Sequence, residues 1–156
     1  MLIVLALWFA DLTLMAQVLI HSHNDYKHPL PFSNAIKIKV YSLKADVYLV
    51  DSVLMVAHDK KEIQATMTLY SMYLQPFIEL YKQYNGFVSS DKSYKPVLVI
   101  DIKEKGAAVI GQFVQLLDNH RSVFDRNVNA AAVKVVLSGD RRPISKLVFL
   151  CPVYYF

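Results

Sequence analysis

Three groups of polar residues in this chain have the types and spacing to do chemistry on an anion. The densest is His21-Ser22-His23-Asn24-Asp25-Tyr26, with two histidines in six residues. Histidine is the side chain best placed to exchange protons near neutrality, and the neighbouring Asn and Asp offer hydrogen bonds or metal ligands. The second group is Asp46, with His58-Asp59 following it. The third is Asp101 with Lys103, two residues apart and so on one face of a strand. A carboxylate at the end of an apolar strand is costly to bury without a cation or hydrogen-bond donors. A hard divalent ion, Mg²⁺ or Ca²⁺, held by carboxylates of adjacent strands would meet that cost. An Asp101–Lys103 or Asp46–Lys44 ion pair would meet it too, and the residues by themselves leave both open.

The elements that must position these groups alternate between strand and helix. Residues 18–23 read as a short strand leading into a polar loop, 24–28, closed by Pro29 and Pro31. Residues 32–38 read as a short helix with Ser33 and Asn34 near its start. From 40 to 50 the pattern alternates, with Leu43, Ala45, Val47 and Leu49 on one face and Ser42, Lys44, Asp46 and Tyr48 on the other. An Asp-Ser turn then leads to a hairpin partner at 53–57. Leu69, Met72, Tyr73, Phe77, Leu80 and Tyr84 fall at helical spacing over 68–84, and Asn85-Gly86 ends that helix. Residues 96–103 are a strand, 107–119 a helix and 133–137 a buried strand followed by Ser138-Gly139-Asp140. Strands joined by helical crossovers imply a parallel sheet or a (β/α) barrel, whose reacting groups gather at the carboxyl ends of the strands.

Composition narrows the class. The chain has 156 residues, 54% of them hydrophobic and 19% charged, which describes one globular domain with a real core. Its formal charge is +4, but the lysines and arginines are scattered and form no basic stripe, which excludes a nucleic-acid binder. The single cysteine, Cys151, allows no internal disulfide. The apolar segment 1–17 reads as an imperfect signal peptide ending near Ala16, with the first strand beginning in residues 17–20. On that reading the protein is secreted or held in the cell envelope (periplasmic).

Four ordered strings, HSHNDYKHPLPFSNAI, KADVYLVDSVLMVAHD, VLVIDIK and VVLSGDR, together resemble the phospholipase-C-like phosphodiesterase superfamily. The likeness is to the bacterial and fungal branch related to glycerophosphodiester phosphodiesterases and phosphatidylinositol-specific phospholipases C, and more distantly to sphingomyelinase D. It covers residues 18–142. The resemblance implies a TIM-type barrel and metal-assisted cleavage of a phosphodiester by two histidines. His21 matches the first catalytic histidine and His58 the second. Asp46 and Asp101 match carboxylates that hold Mg²⁺ or Ca²⁺, while Asn24 and Lys103 match substrate-contacting or buttressing positions. His23 and Asp25 belong to this branch's own motif without a settled role. The implied partner is a small phosphodiester or a phospholipid headgroup, with contact at a membrane surface.

Two features depart from the pattern. The family places a metal-binding Glu two residues before the aspartate at 46, and here that position is Lys44. Beside a divalent ion the exchanged charge costs several kcal/mol at an effective dielectric of about 20. Either metal binding is weakened, or Lys44 becomes the phosphate's positive partner. The second departure is length. A complete (β/α)8 barrel takes about 250 residues, so residues 18–143 read as its first half, followed by an apolar tail, 144–156. A half-sheet exposes an edge, which implies a homodimer, a strand added from the tail, or a fragment. The functional expectation is a metal-dependent phosphoric diester hydrolase. Its rival is a catalytically impaired remnant, a self-associating, non-enzymatic envelope protein.

Overall fold

A computed structural model describes residues 18–140 and 154–155. The signal-peptide expectation for 1–17 and most of the 144–156 tail lie outside those residues. The chain is mixed α/β, built on a sheet of six strands: β1 His21–Ser22, β2 Ser42–Val50, β3 Val53–Val56, β4 Val97–Ile102, β5 Lys134–Gly139 and β6 Tyr154–Tyr155. The order is β1-β2-β4-β5-β6, all parallel, and β3 returns antiparallel along β2. Helix α1, Ser33–Lys37, lies between β1 and β2, and α2, Gln75–Gln83, between β3 and β4. Helices α3, Gly106–Asp118, and α4, Arg121–Phe124, lie between β4 and β5.

The alternation in β2 explains which face meets the helices. Leu43, Ala45 and Val47 are fully buried, as are Leu98 and Ile100 of β4, and Ile102, Val135 and Leu137 are nearly so. They belong to one core with Phe77 and Ile78 of α2 and Val109, Ile110, Phe113 and Leu117 of α3. Phe77 meets Phe32 edge to face at 4.7 Å between ring centres and Phe124 at 6.2 Å, a favoured arrangement of ring quadrupoles. The opposite face of the same strands carries Ser42, Lys44, Asp46, Asp101, Lys134 and Ser138. One face is therefore a core and the other a polar row.

The β2–β3 hairpin turns on Asp51 and Ser52, both at positive φ (46° and 64°), the geometry of a two-residue turn that matches strand twist. Three expectations need correction. Of residues 18–23 only His21 and Ser22 pair with β2. Asn24, in the left-handed region, bends the chain into a 3-10 turn, Asp25–Lys27, before a longer strand can form. The helix expected over 68–84 begins as a wide π turn, Tyr70–Leu74, and becomes regular at Gln75. Pro76 has no N–H to close the turn onto Met72, so the helix opens there. Finally, α4 was not anticipated, because four residues carry too little periodicity to read. In the tail, Tyr154 and Tyr155 extend the sheet by pairing with Val136 and Leu137.

Candidate active site

The register of β2 and β4 sets Asp46 directly beside Asp101, and β5 continues the row with Ser138. Parallel neighbours lie about 4.8 Å apart, so two carboxylates in one row repel unless cations intervene. Two lysines intervene, one from the row before and one from just beyond β4. Lys44 Nζ donates to Asp46 Oδ1 at 2.6 Å and lies 3.1 Å from Asp101 Oδ2. Lys103 Nζ donates to Asp101 Oδ2 at 2.8 Å and lies 3.2 Å from Asp46 Oδ2. Each ammonium therefore bridges both carboxylates.

Asp46 is fully buried. Besides the lysines it accepts a 2.7 Å hydrogen bond from the Tyr26 hydroxyl and lies 3.1 Å from His58 Nδ1, both at Oδ2. Burial pushes this carboxyl up, but donors from Lys44, Tyr26 and His58 outweigh burial and hold it well below the usual carboxylate range. Burial likewise raises Asp101, and Lys103, Ser138 and Lys44 more than reverse it. Burial lowers the Lys103 ammonium, which Asp101 and Asp46 together push above its ordinary value. At neutral pH both aspartates are anions and Lys103 a cation. Ser138 donates to Asp101 Oδ1 at 2.8 Å. Gly139, at φ 81°, lets the backbone pass here: a Cβ would strike the Ile102 carbonyl and sit 2.8 Å from Asp101 Oδ1.

The hairpin returns the chain so that Ala57 N–H reaches the Asp46 carbonyl, which brings His58 to Asp46. Nδ1 of His58 is directed at that carboxylate, and the side chain is 45% exposed. His21 lies beside Ser42 in register and its Nδ1 is 2.7 Å from Ser42 Oγ. Partial burial, His23 and Lys44 all lower its pKa from the ordinary 6.5. His23 stands 6.0 Å from His21, ring to ring. Asp25 is turned into the protein instead. It accepts from Ser22 Oγ, Tyr73 Oη and the Phe32 N–H, and so ties the loop to the core. Asn24 Oδ1 is buried with no hydrogen-bond partner among the described residues.

Of the residues singled out in the sequence, Lys44, Asp46, His58, Asp101 and Lys103 thus form one cluster. His21 is joined to it through Lys44, its charged neighbour. Tyr26 and Ser42 stand in the polar groups of the sequence without an assigned role, and the Tyr26 contact with Asp46 could not be read because the partner lies 20 residues away. Ser138 was missed, although it follows an apolar strand just as Asp101 does.

These residues do not fit Mg²⁺ or Ca²⁺ as they stand. Three partners crowd Asp46 Oδ2, from Tyr26, His58 and Lys103, and the Lys44 ammonium holds Oδ1. Among the described residues no three His, Cys, Asp or Glu side chains converge as a metal site. Each charge of an entering ion would repel a nearby ammonium by about 4 kcal/mol at ~4 Å and an effective dielectric of ~20.

The chain is thus an α/β protein that gathers a histidine and two lysines on a buried aspartate of its parallel sheet. Residues 11–142 match the AIM6-like phosphodiesterase domain, and the chain belongs to that family. A relative from Arthroderma benhamiae, an altered inheritance of mitochondria protein 6 homolog, is 26% identical over 161 residues, covering 88% of this chain and 51% of that protein. Altered inheritance of mitochondria protein 6 of Kluyveromyces lactis is 38% identical over 79 residues, 49% of this chain and 18% of its own. The protein of that name from Lachancea thermotolerans is 37% identical over 79 residues. The chain thus spans about half the length of the Arthroderma relative and less of the others. No solved structure matches it. The relatives are fungal and named for the inheritance of mitochondria. That overturns the expectation of a secreted or periplasmic envelope protein. Among the described residues no helix is long and apolar enough to cross a membrane.

Proposed function

We propose that this chain is a phosphoric diester hydrolase of the glycerophosphodiester phosphodiesterase and phospholipase C type, and that its sheet is the first part of a (β/α)8 barrel. The observation that carries the reading is His58 Nδ1 on the buried Asp46 carboxylate, next to two lysine ammoniums. The substrate is a small phosphodiester or a phospholipid headgroup. Its anionic oxygens meet Lys44 and Lys103, which neutralise charge as it builds. His21, its basicity lowered so that it is neutral at pH 7, takes the proton of the attacking hydroxyl. His58, once protonated, has Asp46 as its ion partner and returns a proton to the leaving alkoxide. Hydrolysis of a glycerophosphodiester, whose leaving group is an alkoxide, by the wild type, His21→Ala and His58→Ala tests this. Each variant should lose about 100-fold or more, and undiminished turnover in both would sink the reading.

The two lysines that each bridge Asp46 and Asp101 favour a second reading, an impaired member whose lysines only neutralise inherited carboxylates. Turnover by the wild type above that of the double histidine variant would exclude it.

A further inference from the structure

We propose that Lys44 occupies the role of a divalent ion here, so that the site binds a phosphoryl anion without metal, with Lys44 and Lys103 as its fixed cations. The identity of that anion rests on the phosphodiester reading, whereas the exclusion of metal rests on charge and geometry alone.

Asp46 and Asp101 sit side by side in register and carry two negative charges. Lys44 and Lys103 supply two positive charges, and each ammonium touches both carboxylates within 3.2 Å. The cluster is neutral before any ion enters. A divalent ion would leave it with an excess of two positive charges beside a fully buried carboxylate that already has Lys44 on Oδ1 and three partners on Oδ2. Entry therefore requires expulsion of Lys44, whose stem rises from the strand between Leu43 and Ala45, both fully buried on the other face.

The same geometry suits an anion. An ammonium has three N–H donors, and each lysine spends two on the aspartates. The third is left for a ligand, and both side chains reach solvent, Lys44 at 15% and Lys103 at 23% exposure. A monoanion held there is next to His58, which approaches the same Asp46. The carboxylates orient the two ammoniums, and a phosphodiester brings one negative charge to a neutral cluster.

Calorimetric titration decides the matter, with MgCl₂ and CaCl₂ and, in EDTA, with inorganic phosphate. The proteins are the wild type, Lys44→Met and Lys44→Glu, with circular dichroism as the check on folding. The wild type should show no saturable metal binding up to millimolar concentrations and should bind phosphate in EDTA. Lys44→Met should weaken phosphate by roughly tenfold or more, and a folded Lys44→Glu should gain metal binding. Saturable sub-millimolar metal binding by the wild type overturns the proposal, as does phosphate affinity unchanged in Lys44→Met. If Lys44→Glu does not fold, those two measurements alone decide. Phosphate held through Lys44 without diester turnover would remove the hydrolase reading and leave this one standing. Turnover strictly dependent on added metal would do the reverse.

Discussion

Asp46 concentrates the electrostatics of the molecule in one side chain. Removing its charge would strand Lys44 and Lys103 beside Asp101 and deprive His58 and Tyr26 of their shared acceptor. Breaking such a buried network costs about 3 kcal/mol or more, so Asp46→Asn should lower urea stability by that amount. A loss below about 1 kcal/mol would show that the cluster is well solvated. His21 carries a pH prediction. Its pKa is lowered from 6.5 by partial burial, His23 and Lys44, so the neutral base persists into mild acid. The acid limb of the rate profile should therefore lie below pH 6.5, where this base takes up its proton. A pH–rate profile whose acid limb lies above 6.5 would assign the base elsewhere. The charge types of these residues were legible in the chain, and Lys44 stood out as a departure. Its bridging position was not, since it depends on a partner strand more than fifty residues away.

At the scale of elements, the end of β5 is the tightest joint around the site. Gly139 holds φ at 81°, and a Cβ there would strike the Ile102 carbonyl and Asp101 Oδ1. Gly139→Ala combines left-handed backbone strain with a collision against main chain, so it should destabilise by about 3 kcal/mol. It should also displace Asp101, which would show as weakened phosphate binding. Normal stability and binding together would mean that β4 and β5 can part without loss. The strand β2 was legible because its apolar residues recur at a period of two, and β4 and β5 because each is a short continuous apolar run. The edge strand β1 and the π turn at Tyr70–Leu74 were not. A two-residue strand has no period, and the π turn arises from one missing N–H at Pro76 inside an otherwise helical pattern.

At the scale of the whole molecule, buried tyrosines tie the loops to the core and set an alkaline limit. Burial raises Tyr73, with Asp25 adding to it, and raises Tyr26, with Asp46 adding to it. Burial alone raises Tyr94, whose hydroxyl donates to the Val40 carbonyl at 2.8 Å. A folded pKa raised above the unfolded value of 10 gives stability that is complete below pH 10 and is lost as pH rises past it. Each tyrosine kept protonated by the fold should cost about 1.4 kcal/mol per pH unit in that range. Melting temperature should therefore drop steeply between about pH 10 and 11.5, and less steeply in Tyr73→Phe. Equal slopes would mean that Tyr73 ionises without unfolding.

The sequence by itself determined the alternation of strand and helix, the polar and apolar faces of the long strands, and the residues with chemical potential. Those follow from local periodicity and residue type, which need no knowledge of distant partners. Only the tertiary structure decided how the charges pair. Asp46 meets Asp101 through strand register, Tyr26 reaches Asp46 through the bend at Asn24, and His58 returns through the hairpin. Coulomb and hydrogen-bond energies act over a few ångströms, and register fixes which groups come that close. For that reason Lys44, only an odd substitution in the chain, becomes in the fold the cation between two carboxylates.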